Sequence, residues 1–170
     1  KESGIIAKEI NMSAPIFSSF LTVMELPPMP QAEIASAIQF EAKKYIPVPL
    51  DSVLVDWSII GSAPEKISVL LIAIPKDLVN EYTAIAKETD LKLINLELET
   101  MSAARALIGN DPVPAVLVDM GSRDTTISVV SGGRPIISHS IETSGEDLTR
   151  ALANSLNINW RRAEELKKEQ

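Results

Sequence analysis

The chain has 170 residues, 45% hydrophobic and 23% charged, the proportions of an ordinary soluble globular protein with one domain or two small ones. Its formal net charge of −7, with no run of Lys or Arg, excludes a nucleic-acid or anionic-membrane footprint. It contains no cysteine, which removes disulfide scaffolds, thiolate metal sites and thiol catalysis.

The chain begins Lys1-Glu2-Ser3, without Met and without a signal-peptide pattern, and reads as a piece of a longer cytoplasmic protein. Ile5–Met12 and Phe17–Leu26 read as strands, the second running into the rigid Leu26-Pro27-Pro28-Met29-Pro30. Pro30 suits the first turn of a following helix, where its missing N–H costs nothing. Ile34, Ala37, Ile38, Ala42 and Tyr45 fall on one face of that helix, at spacings of three and four. Pro47 and Pro49 end it. Val53, Val55, Trp57 and Ile59 then alternate with Leu54, Asp56, Ser58 and Ile60, which predicts a strand with one face more buried.

Gly61-Ser62-Ala63-Pro64 turns the chain into Ile67–Ile74, its most apolar run. That run is far short of the ~20 residues that cross a bilayer, so it reads as a buried strand and no direct membrane insertion is expected. A helix over about Lys76–Thr89 is expected to bury Leu78, Val79, Tyr82, Ile85 and Ala86. Leu91–Leu98 reads as a strand and Glu99–Ile108 as a short helix closed by Gly109-Asn110. The first block is therefore α+β, and Asp111-Pro112-Val113-Pro114 is a stiff linker candidate.

The second block holds three strands, Ala115–Val118, Thr125–Val130 and Pro135–Ile141, with Ser131-Gly132-Gly133 as the tight connection between the last two. Helices over about Glu146–Leu156 and Trp160–Glu169 follow. Glu146 and Asp147 suit the positive end of the first, and Asn159 suits the N-cap of the second. Three strands and two helices in ~55 residues do not readily close a core, so further pieces are expected. The lone His139 has no clustered carboxylates and reads as a surface or satisfied strand histidine.

Between the first two of these strands lies Asp119-Met120-Gly121-Ser122-Arg123-Asp124-Thr125. A turn of this kind can hold a nucleotide phosphate, because Gly lets the backbone approach and the turn N–H groups meet the anion. The adjacent Asp can orient water or Mg²⁺. Asp and Gly are also the commonest residues of an ordinary hairpin turn, and the motif alone does not separate the two. Glu164 and Lys167 lie one turn apart on one helix face, as a nucleotide-contacting pair or a solvated ion pair would.

Three stretches together carry a resemblance: Leu26-Pro27-Pro28-Met29-Pro30, Phe40 through Leu50 with its Tyr45-Ile46-Pro47-Val48-Pro49, and Val55-Asp56-Trp57. To these are added Val118-Asp119-Met120-Gly121 through Thr125, Gly132-Gly133-Arg134-Pro135, Gly145-Glu146-Asp147-Leu148-Thr149 and Ala163 through Lys168. In order and spacing the chain resembles the PilM family, the actin-like cytoplasmic proteins of type IV pilus assembly.

The resemblance implies an α+β fragment of an actin-like ATPase fold. Residues 1–110 would be a first-lobe remnant carrying an inserted α+β subdomain at about 17–98 and a connecting helix. Residues 115–170 would be the start of the second lobe, with its phosphate-binding hairpin and two helices. It implies ATP with Mg²⁺ as cofactor and weak or no ATPase activity. Asp119, Gly121, Ser122 and Thr125 would face the phosphates, and Glu164 and Lys167 would reach the ribose and adenine. Arg123 and Asp124 depart from the Gly-rich turn of the related division protein FtsA, which weakens hydrolysis more than binding. The first-lobe phosphate strand is expected upstream of Lys1 and the adenine loop beyond Gln170, so the chain alone is expected to bind ATP weakly or not at all.

The implied partner is the N-terminal cytoplasmic peptide of a PilN-like bitopic inner-membrane protein, held in a groove beside the inserted subdomain, with self-association as a further contact. The candidate groove residues are Phe20, Leu21, Val23 and Met24 on the strand and Ile34, Ile38, Tyr45 and Ile46 on the helix. The protein would then be cytoplasmic and peripheral to the inner membrane through its partner. An FtsA-like filament protein is the second reading, and the Tyr-Ile-Pro-Val-Pro stretch argues against it. A small-molecule kinase of the same superfamily is the third, and it lacks a catalytic base here.

Overall fold

A computed structural model describes Gly4 and residues 6–169, and Ile5, the expected start of the first strand, lies outside the described residues. The first strand, β1, is Glu9–Ala14, and it pairs in parallel with β5, Lys92–Leu98. Everything between them is one long excursion. It begins with a 3₁₀ turn, Ile16–Ser18, where a strand was expected, because Pro15 breaks the extended run. Strand β2 (Phe20–Leu26), helix α1 (Gln31–Glu41), strands β3 (Val53–Ala63) and β4 (Lys66–Pro75) and helix α2 (Lys76–Glu88) follow.

Strand β4 is the centre of an antiparallel sheet ordered β2-β4-β3, which is why its sequence is apolar without alternation. Val69, Leu71 and Ala73 meet Ile34, Ile38 and Ala42 of the α1 segment together with Met24 and Leu26 of β2. Leu70 and Ile74 point the other way, into a second core with Ala14, Ile16, Leu21 and Leu98. Pro30 is the N-cap of α1, and its carbonyl accepts from Glu33 N at 2.9 Å. Strand β3 is an edge, and past the buried Val53 both of its faces are largely open, so the expected buried face does not form. Helix α2 likewise buries only Ala86 completely, with Leu78, Val79 and Tyr82 half-buried and Ile85 exposed.

Helix α3 (Glu99–Leu107) joins the two parts. On one side Ser102 Oγ meets Ser13 Oγ of β1 at 2.9 Å. On the other, α3 lies on the antiparallel sheet β6-β7-β8, formed by Ala115–Met120, Thr125–Ser131 and Arg134–Ile141. The covered face of that sheet is rich in hydroxyls, which pair among themselves: Thr126 with Ser140 at 3.0 Å and Ser128 with Ser138 at 2.8 Å. The opposite face carries Val116, Val118, Met120, Ile127 and Ile137, all exposed. Helices α4 (Gly145–Leu156) and α5 (Trp160–Glu169) close the chain as a packed pair. Ser144 and Asp147 cap α4 reciprocally, and Asn159 Oδ1 accepts from Arg162 N at 2.9 Å at the start of α5. Among the described residues no helix is long and apolar enough to cross a membrane.

Candidate functional site

The hairpin between β6 and β7 is two residues tighter than the sequence suggests. Asp119 and Met120 are still in the strand, paired with Thr126 and Thr125, and the turn itself is Gly121–Asp124, closed by Gly121 N donating to Asp124 O at 2.9 Å. Strand alternation therefore separates two residues grouped by the sequence reading. Asp119 projects from the α3 side, beside Glu99, Thr100 and Thr126, which line a small cavity with it. Thr125 belongs to the opposite side, is buried, and spends its hydroxyl on Thr143 O at 2.6 Å. Its hydroxyl is thus engaged with the backbone just before α4, at the residue the sequence reading expects to face phosphates. Ser122 is exposed.

Glu99 is a residue that the sequence reading passed over as the start of a helix. Its carboxylate accepts from Ile16 N at 2.9 Å, so it caps the 3₁₀ turn at the start of the excursion. Burial, opposed by the Ile16 hydrogen bond and reinforced by the charges of Asp124 and Asp119, raises its pKa. An acidic residue at the first position of a predicted helix, facing a strand-borne Asp-x-Gly, was the available signal. Thr100 Oγ1, in the same small cavity, is buried without a partner.

The turn is tied to α4. Gly145 N donates to Gly121 O at 2.9 Å and Glu146 N to Ser122 O at 3.1 Å. Lys167 of α5 reaches back to the same point, with Nζ 3.0 Å from Gly145 O, 2.8 Å from Thr149 Oγ1 and 2.7 Å from Glu164 Oε2. Glu164 and Lys167 are therefore partners of each other and of the α4 start, at less than a third exposed each. The bond from Lys167, then that from Thr149, holds the Glu164 carboxyl at about 2.

Asp119 at the end of β6 and Gly121 and Ser122 in the turn beyond it are the positions where the sequence reading expects phosphate and Mg²⁺. Among the described residues no three His, Cys, Asp or Glu side chains cluster to cage a metal. Mg²⁺ commonly takes only one or two carboxylates and completes its shell with water and phosphate oxygens, so such a cluster is not what its binding requires.

A second concavity lies between the two sheets. A groove of about 660 Å³ is walled on one side by Ile16, Phe17, Phe20, Leu21 and Tyr45, and on the other by Arg123, Asp124 and the β8 segment Ser138–Glu142. Ser19 lines it, and its Oγ is buried with no partner among the described residues. Of the candidate groove residues, Phe20, Leu21 and Tyr45 meet here. Met24, Ile34, Ile38 and Ile46 are at most 5% exposed and belong to the core under the sheet, and Val23 packs on the second core. Apolar spacing on the strand and the helix selected those residues, and spacing does not tell a core face from a groove wall.

The family model for the type IV pilus assembly protein PilM matches residues 1–170. Among solved structures, the chain is similar to one described as a PilM–PilN type IV pilus biogenesis complex, with 22% identity and a TM-score of 0.79, covering 96% of this chain and 51% of that one. It is also similar to the cytoplasmic domain of EpsL, an inner-membrane component of the type II secretion system of Vibrio cholerae, at 11% identity and a TM-score of 0.60 over 93% of this chain and 60% of that one. A match to the ethanolamine utilization protein EutJ from Carboxydothermus hydrogenoformans has 33% identity and a TM-score of 0.45 over 54% of this chain and 32% of that one. The architecture is α+β and forms part of an actin-like ATPase fold. The chain spans about half the length of the PilM chain it matches.

Proposed function

The chain belongs to the PilM family of type IV pilus assembly proteins, and from that premise we propose that it is a cytoplasmic scaffold, peripheral to the inner membrane. It holds the N-terminal peptide of a PilN-like bitopic protein and binds Mg²⁺–ATP through the Gly121–Asp124 hairpin. The observation that carries the partner reading is the groove between the sheets. It is bounded by β2 and β8, each an edge strand of its sheet among the described residues, and a groove beside an edge strand suits an extended peptide. Phe17, Phe20 and Tyr45 supply apolar anchors, and Arg123, Asp124 and Glu142 supply charge.

ATP binding rests on the hairpin and on its bonds to the start of α4. With the Glu164–Lys167 pair closed on itself, this chain presents the phosphate side of a site more than its base side, so ATP affinity is weak. Hydrolysis is weak or absent. Titration of a synthetic peptide matching the N-terminus of the neighbouring bitopic protein is expected to saturate and to be weakened at least tenfold by Phe20→Ala with Tyr45→Ala. A saturable peptide indifferent to both changes would place the partner elsewhere. ATP titrated into the chain is expected to show no saturation in the low micromolar range.

A further inference from the structure

The strongest unassigned cluster is the knot at the junction of α4 and α5. Thr149 is completely buried, and its hydroxyl lies 2.6 Å from Glu164 Oε2, 2.8 Å from Lys167 Nζ and 3.0 Å from Gly145 O. It donates to Glu164 and accepts a hydrogen bond from Lys167, so both of its roles are used. The same ammonium donates to Gly145 O, while the Gly145 N–H donates to Gly121 O. A continuous path therefore runs from α5, through a buried hydroxyl and the backbone of one residue, Gly145, to the hairpin turn. No Cβ fits easily into that path. A side chain at Gly145 would come 3.2 Å from Gly121 O and 3.7 Å from Lys167 Nζ.

We propose that Thr149 is a positioning residue: its buried hydroxyl sets the Glu164–Lys167 pair and, through Gly145, makes the Gly121–Asp124 turn and the α4–α5 pair move as one body. A side chain of the same shape without the hydroxyl would leave Glu164 Oε2 and Lys167 Nζ each short of a partner in a half-buried setting. Both would then turn toward water, and the link to Gly145 O would loosen. As a statement about nucleotide this rests on the ATP reading above. As a statement about the coupling of turn to helix pair it stands without it.

The test compares Thr149→Val with Thr149→Ser in the 170-residue chain, without nucleotide. The Glu164 carboxyl is followed by NMR titration and the Gly145 and Glu146 amides by hydrogen exchange. Thr149→Val is expected to move the Glu164 midpoint from about 2 toward the ordinary 4.5 and to speed exchange at both amides about tenfold. Thr149→Ser is expected to restore both. If the Val variant does not fold, Lys167→Met cuts the same path from its more exposed side and is expected to speed the two amides likewise. A folded Val variant with an unmoved Glu164 midpoint and unchanged amides overturns the proposal, as does a Ser variant that fails to rescue. Failure of ATP to bind the full-length protein would instead overturn the nucleotide reading, while these two readouts stayed as they are.

Discussion

The turn between β7 and β8 provides a paired test of how the second sheet is seated. Gly132 and Gly133 both have left-handed backbone, at φ 57° and 72°. An alanine at either costs roughly 1–2 kcal/mol for the Cβ alone. Their surroundings differ. A Cβ at Gly132 meets nothing within 4 Å, whereas a Cβ at Gly133 would overlap Gly109 O, at the end of the α3 segment. Backbone cannot swing aside as a side chain does, so Gly133→Ala adds an overpacking cost of about 1–3 kcal/mol. At roughly 2–4 °C per kcal/mol for a chain of this size, Gly133→Ala is expected to melt at least about 2–4 °C below Gly132→Ala, followed by circular dichroism. Equal melting temperatures would show that the turn does not sit on Gly109, and the docking of this sheet against the end of α3 would be wrong.

Ile38 and Tyr45 divide the groove candidates into core and surface. Ile38→Ala is expected to cost about 2–5 kcal/mol in urea unfolding with an unchanged m value, and Tyr45→Ala under about 1 kcal/mol, because Ile38 is 1% exposed and Tyr45 41%. Ser144→Ala removes the capping box of α4 and is expected to cost about 1 kcal/mol, with faster amide exchange confined to the first turn of that helix. Glu99 has a folded-state pKa above its unfolded 4.5, so the native state binds the extra proton and stability falls as pH rises from 4.5 through the folded value. Glu99→Gln keeps an acceptor for Ile16 N and is expected to flatten that slope, measured as unfolding free energy against pH between 4 and 8. A slope that persists in the variant would assign it to another group.

What the sequence determined by itself is local. Prolines at 30, 47 and 49 and glycines at 109, 121, 132 and 133 mark where elements start or stop, and hydrophobic period gives most strands and all the helices. Motif order carries the family, because short spacings survive whatever the fold does with them. Where the first strand turns into 3₁₀, and how far the β6–β7 strands run before the Gly121 turn, differ because local breaks and ladder pairing act over one or two residues. Tertiary structure decided everything that depends on which face meets what. It put Asp119 and Thr125 on opposite sides of one sheet, sent Met24, Ile34, Ile38 and Ile46 into the core, and left Phe20 and Tyr45 on a groove shared with β8. It made a half-buried cap of Glu99 and a closed pair of Glu164 and Lys167. Periodicity says that a residue has an inside neighbour; only the packing of distant segments says whether that neighbour is core, groove or the rim of a turn.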